Sequence, residues 1–292
     1  MKQFIISILF IFYINNVHCQ DDKVINFLGT LELPGKVIIP LKVSFKQLPN
    51  GAIEGYTITD IYGKDNTKTR ITGILDGKKN LLSFKETENI STKSKSDKST
   101  FCFIEVHNLK IRAVIDKKII QGVFTGKFPD GKPCTNGNIY LVSEDFVDEM
   151  AKEVLQPKYI SKEDSLQKLK TLYADLKLKS NLTILEKEEQ LSIKWKSKDL
   201  IIELWDGSAD DQDEVTLYIN DLEVLEKFTI SYQKKKLVLP FNGDSCVVKL
   251  LANNDGKNPP NTASITVRDG EKSTTLMTKL KKGESAYIKL IK

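Results

Sequence analysis

IIQGVFTGKFPDGKPCTNGNIYLVS, residues 119–143, is the stretch whose reading decides the fold. Ile120, Phe124 and Phe128 share one parity, and Gln121, Thr125 and Lys127 the other. A period of two places alternate side chains on opposite faces of a strand. Pro129-Asp130-Gly131 interrupts the pattern, and GNIYLVSE resumes it. Asn136-Gly137 reads as a second turn, because both residues tolerate the positive φ of primed hairpin turns.

Upstream the same grammar repeats. VINFLGTLEL, KVIIPLKVSFKQL, AIEGYTITDIYG, KTRITGILD, NLLSFKETE and TFCFIEVHNLKIRAVID are strand-like runs. Turn signals separate several of them, at Pro49-Asn50-Gly51, Asp76-Gly77 and Asp116-Lys117-Lys118. Eight or so short strands joined by hairpins predict an antiparallel meander over residues 20–143, closed as a barrel or folded as a sandwich. Gly55, Gly73, Gly122 and Gly126 fall inside strands, where a sheet must bend sharply. The polar run Thr92 to Thr100 reads as a mobile hairpin tip.

From Ser143 the period changes to that of helices. Phe146, Val147, Met150, Ala151 and Val154 share one face of EDFVDEMAKEVL, and acids crowd its first turn. Pro157 stops it. Ser161 followed by Asp164 is a capping signature for a second helix with a stripe of Leu166, Leu169, Leu172, Tyr173 and Leu176. Residues 144–180 are therefore a helical connector. Strands resume over residues 181–292 with turns at Asn242-Gly243, Asp255-Gly256 and Asp269-Gly270, a second antiparallel β-sandwich. The fold class is mainly β.

The first residues, MKQFIISILFIFYINNVHC, pair Lys2 with an apolar stretch from Phe4 to Ile14. That stretch is short for a spanning helix, which needs about 20 apolar residues. It predicts an export signal over residues 1–19, with the protein periplasmic or extracellular. The alternative makes Cys19 a lipidated first residue, anchoring the chain at an outer membrane, and only in that case is a membrane a partner. The formal charge is +5, and lysines alternate with acids instead of forming a basic stripe with aromatics, so no nucleic-acid partner is expected. In an oxidising compartment, Cys102 and Cys134 form one bridge if the turn GKPCTNG folds back over the strand FCFIEV. Cys246 reads as a buried thiol.

The candidate site lies further on. The strand IIELWD runs into an acidic loop holding Asp206, Asp210, Asp211, Asp213 and Glu214, and LYIN carries Asn220 beyond it. A later turn, Asn253 to Asn261, adds carboxamides and a carboxylate beside Pro259-Pro260. Two readings stand side by side. Asp206, Asp211, Asp213 and Asn220 hold calcium, with Asn253 and Asn254 completing the shell if the two loops meet; or the aspartates accept backbone N–H groups and close the loop without metal.

Asp206, Asp211-Gln212-Asp213, Leu217-Tyr218-Ile219-Asn220, Ala252-Asn253-Asn254-Asp255-Gly256 and Pro259-Pro260-Asn261-Thr262-Ala263 together resemble a small β module of secreted Bacteroidetes (Flavobacteria and Cytophaga-type) proteins. That module carries Asp-Gly-Asp, Asn-Gly and a Pro-Pro-Asn-Thr-Ala turn; here Gln212 and Asp221 stand where it has Gly. The resemblance covers about the last third of the chain and implies a sandwich with no established activity.

Catalytic motifs are sparse. His107 is the single histidine after the signal and faces solvent by its strand parity, which excludes a two-histidine zinc motif. A carboxylate pair among Glu54, Glu86 and Glu105 stays open, though charged strand residues usually face water. Trp195 and Trp205 are a sugar-stacking platform or, more simply, core. The expectation is an exported, non-catalytic binding or cell-envelope interaction protein whose partner is a protein, a glycan or a small apolar ligand, with calcium as the one cofactor. The alternatives are a lipocalin-like small-molecule carrier and a secreted hydrolase.

Overall fold

The computed structural model describes residues 24–114, 117–160 and 162–292. The export signal with Cys19, the turn at Asp116 and the cap at Ser161 lie outside those residues. Eight strands come first: β1 (Val24–Leu33), β2 (Val37–Gln47), β3 (Ala52–Thr59), β4 (Thr67–Asp76), β5 (Leu81–Thr92), β6 (Phe103–Val114), β7 (Lys117–Lys127) and β8 (Pro133–Ser143). Each pairs antiparallel with the next, and β8 returns to β1 with Phe27 opposite Ser143 and Leu31 opposite Ile139. The meander is thus a closed barrel, which leaves no free edge within the ring.

Inward positions are filled by large apolar side chains, among them Phe27, Leu41, Phe45, Ile71, Leu82 and Phe124. Each such side chain contributes about 1.5–3 kcal/mol on leaving water. Asn136-Gly137, expected as a turn, instead lies inside β8, with Gly137 opposite Phe124. The chain reverses once, at residues 128–132, where Gly131 takes φ +85° and donates to the Phe128 carbonyl.

The start of β8 holds the disulfide. Register slips between Gly126 and Lys127, a bulge that turns Cys134 out of the ladder toward Cys102. The two cysteines are bonded, with Cα atoms 6.0 Å apart. They cross over β7 at Gly126, where a Cβ would come within 2.4 Å of the Cys102 sulfur. A side chain there would evict the bridge.

Two helices follow, α1 (Glu144–Val154) and α2 (Glu163–Asn181). They lie outside the barrel. Lys42, which points outward from β2, is nonetheless buried, because it donates to Glu144 of α1 at 3.1 Å and to Asn181 of α2 at 2.6 Å. Tyr173 and Lys177 of α2 both bind Asp148 of α1. The expected apolar stripe is buried only at Leu166; Leu169 and Leu172 are exposed.

The remaining strands are β9 (Thr183–Leu185), β10 (Gln190–Lys194), β11 (Asp199–Trp205), β12 (Glu214–Ile219), β13 (Leu222–Thr229), β14 (Lys235–Pro240), β15 (Ser245–Ala252), β16 (Asn261–Asp269), β17 (Lys272–Leu280) and β18 (Ser285–Ile291). They form two layers, ordered β13-β12-β15-β18-β10 and β14-β11-β16-β17-β9. Alternation supplies the core between them: Cys246, Val248 and Leu250 from one layer meet Leu200, Ile202 and Ile265 from the other. Cys246 is a buried free thiol, and burial pushes its pKa up.

The apolar cores of barrel and sandwich are distinct. The backbone ladder is not. Strand β10 pairs with β5 at Ser192–Thr92 and Ile193–Ser91, so one hydrogen-bonded sheet of thirteen strands runs through both halves. Flanking ion pairs, Lys93–Glu189 at 2.7 Å and Lys194–Glu88 at 3.0 Å, hold that seam.

Candidate metal centre

Strand β11 belongs to one layer of the sandwich and β12 to the other, so residues 206–213 must cross between layers. The same is true of residues 253–260 between β15 and β16. Because β11 pairs with β16 and β12 with β15, the two crossings leave at the same end and lie side by side. This was the condition for a shared site, and it is met.

Asn254 laces the loops together. Its carbonyl oxygen accepts from the Glu214 amide at 2.8 Å, and its amide donates to the Gln212 carbonyl at 2.7 Å. Asn253 donates to Thr216 at 2.8 Å. Of the two carboxamides expected as ligands, Asn254 is engaged at both ends in loop closure and Asn253 through its amide nitrogen. Pro259–Pro260 is cis and leads into Asn261.

Three carboxylates converge inside this frame. Asp206, Asp211 and Asp213 are buried, with one oxygen of each lying within 4.8 Å of the other two. Each splits its two oxygens between two jobs. Asp206 Oδ1 accepts from the amides of Ser208 and Ala209 at 2.9 and 3.1 Å. Asp211 Oδ2 accepts from the Asn258 amide and Asp213 Oδ2 from the Thr262 amide, both at 2.7 Å. The other three oxygens, Asp206 Oδ2, Asp211 Oδ1 and Asp213 Oδ1, are buried without a hydrogen-bond partner. The two sequence readings are therefore compatible: one oxygen of each aspartate closes a loop, and the other is open to a cation.

Asn261 adds a fourth oxygen that composition did not single out as a ligand. Its amide nitrogen donates to the Glu214 carbonyl and to both oxygens of Asn254, at 3.1–3.2 Å. Those three acceptors fix which end is nitrogen. Its Oδ1 is buried and unpartnered like the carboxylate oxygens. The signal was its place after a rigid Pro-Pro pair, opposite the acidic loop.

An unpaired buried polar oxygen costs about 1–3 kcal/mol, and more when charged. Burial and the neighbouring aspartates accordingly push the Asp206 carboxyl up, and the same causes raise Asp213 to about 6. A cation removes both penalties. Calcium takes six to eight oxygens at about 2.3–2.6 Å, so opposite ligands stand about 5 Å apart, and the cluster is no wider.

Gly256 forms the wall. It has φ +64°, and a Cβ there would lie 2.3 Å from Asp213 Oδ1 and 3.0 Å from Asp211 Oδ1. Gly256→Ala therefore presses a methyl against two of the unpartnered carboxylate oxygens, which would crowd out an ion held between them. Calcium titration of this variant should show at least tenfold weaker binding; unchanged affinity would mean the three oxygens do not face the ion.

Asn220 is not part of this centre, contrary to expectation. It sits at the opposite end of β12 from Asp213, roughly 20 Å along the strand. Asn220 and Asp221 take φ +48° and +64°, the primed-turn geometry of the β12–β13 hairpin. The Asn220 side chain accepts from the Val247 amide at 2.8 Å. Trp195 is core, stacked on Phe241 with centroids 6.0 Å apart, while the Lys234 ammonium sits 4.3 Å from the Trp205 ring centroid. His107 is exposed beside Glu105 at 3.3 Å. No known protein family, curated protein or solved structure matches this chain.

Glu86 also departs from expectation. It was expected to face water with Glu54 and Glu105, yet it continues the inward series Leu82, Phe84, Glu86 along β5 and is buried. Thr57 donates to one of its oxygens and the Ile104 amide to the other, the latter at 2.8 Å. It lines a cavity of about 310 Å³ at the end of the barrel that carries the disulfide.

Proposed function

We propose that this chain is an exported, non-catalytic binding protein whose C-terminal sandwich is locked by one calcium ion. The ion is held by Asp206, Asp211, Asp213 and Asn261, with backbone carbonyls or water completing the shell. One observation carries the reading: three buried carboxylates converge, one oxygen of each has no hydrogen-bond partner, and the buried Asn261 Oδ1 of the adjoining strand is likewise unpartnered. Three carboxylates against one divalent cation leave a net charge of −1, and a site this closed favours calcium over magnesium, which keeps several of its waters. The Cys102–Cys134 bond supports an oxidising compartment. Among the described residues no helix is long and apolar enough to cross a membrane.

The Bacteroidetes-type module is the reading for the last strands. Gln212 at φ +70° and Asp221 at φ +64° adopt the backbone that glycine favours, at the two positions where the pattern has glycine. A second reading concerns the barrel, where the cavity beside Glu86 favours a small-molecule carrier. The test of the first is stoichiometry. After chelation and dialysis, calorimetric titration with calcium should give one site per chain, absent in Asp211→Ala. Equal binding of magnesium would overturn the calcium preference and leave an unselective divalent site; no heat at all would leave a metal-free turn.

A further inference from the structure

We propose that the disulfide end of the barrel is a binding cup for a small organic cation, whose ammonium pairs with Glu86 and whose apolar body packs on Leu31, Ile39 and Phe124. This rests on the carrier reading of the barrel and is independent of the calcium centre. Small barrels fill their inward positions with apolar side chains. Here β5 presents a carboxylate where Leu82 and Phe84 predict a third apolar residue, and the space above it stays open. An engineered apolar cavity of about 150 Å³ holds benzene. At about 310 Å³ the cup takes roughly twice that, a ligand of about a dozen heavy atoms.

Charge selects the ligand. The ionisable side chains lining the cavity are Glu86, Asp60 and Asp65, and no lysine or arginine lines it. Asp60 and Asp65 sit on the β3–β4 loop at the mouth, where the Asp65 amide donates to the Asp60 carboxylate at 3.0 Å. An anionic ligand would meet three carboxylates; an ammonium meets complementary charge on entry and at the base. The Thr57 hydroxyl and the Ile104 amide occupy one site on each Glu86 oxygen, and a carboxylate has about four. Capacity for the ligand N–H groups therefore remains.

Burial is what pushes Glu86 up, to about 7, against the lowering pull of its two hydrogen bonds. No charged neighbour contributes, and Thr57 and Thr69, from β3 and β4, face it as neutral hydroxyls. An alkylamine stays protonated throughout this range, so its binding strengthens as pH rises through about 7 and Glu86 ionises.

The experiment uses the full chain with calcium present and three probes of one length: n-octylamine, n-octanol and n-octanoate. Titration calorimetry at pH 8 should show octylamine binding at least tenfold more tightly than either of the others. At pH 5.5 that advantage should shrink at least fivefold. In Glu86→Gln it should vanish at both pH values, with the melting temperature kept as proof of folding; the pH arms on the unaltered chain decide the matter if that variant fails to fold. Binding of octanol or octanoate as tight as octylamine overturns the cation and leaves a carrier. If no probe binds, both the cation and the carrier reading fall.

Discussion

Saturating calcium is expected to raise the melting temperature of the sandwich by about 10 °C, with a larger rise at pH 7.5 than at pH 5. Free calcium at about a hundred times its dissociation constant contributes about 2.7 kcal/mol. A domain of about 110 residues moves by roughly 4 °C per kcal/mol. The pH dependence follows from proton competition. Burial first, and then Asp211 and the other aspartates, hold the folded-state pKa values of Asp206 and Asp213 above their ordinary value, Asp213 at about 6. Without metal, a raised acid favours the fold while it is protonated. That contribution is complete below about pH 4 and lost as pH rises through about 6. Calcium takes over where the proton leaves.

One variant separates the ion from a merely well-packed loop. Asp213→Asn keeps an oxygen for the Thr262 amide and turns an N–H toward the two remaining carboxylates. It should raise the metal-free melting temperature at pH 7.5 and abolish the calcium response. A loop that never holds metal would show the first effect with no calcium response to lose in the unaltered chain. Retention of the full response in Asp213→Asn would remove Asp213 from the coordination shell.

How far the sequence reaches is visible in particular residues. Asp206, Asp211 and Asp213 were legible because three carboxylates within eight residues at a strand end need either a cation or many amide donors. Asn220 and Asn261 were not distinguishable by composition; one sits at φ +48° in a hairpin and the other is buried between two loops. What separates them is that both loops cross between layers at one end, a fact of topology. Glu86 was legible by parity, Leu82-Phe84-Glu86, and was missed because a charge usually marks the wet face of a strand. The eight barrel strands follow from their alternation. Their closure does not, since Phe27 meeting Ser143 is a pairing that no local pattern encodes.

Removing the disulfide is expected to destabilise the barrel by about 3–4 kcal/mol and to leave the calcium response intact. Cys102 and Cys134 are separated by 32 residues, and a loop of that length gives about this cost by chain entropy. The loss should be local, because the two apolar cores are distinct and meet at a short seam, with β10 pairing β5 at two positions beside two ion pairs. Cys102→Ala/Cys134→Ala should therefore lower the barrel transition in urea while the calcium-dependent transition of the sandwich holds its midpoint. Near-ultraviolet signals divide the two, since both tryptophans, Trp195 and Trp205, lie in the sandwich. A single transition that shifts as a whole would mean that the seam couples the halves into one cooperative unit. The bridge would then support the metal centre as well, through the continuous sheet that joins them.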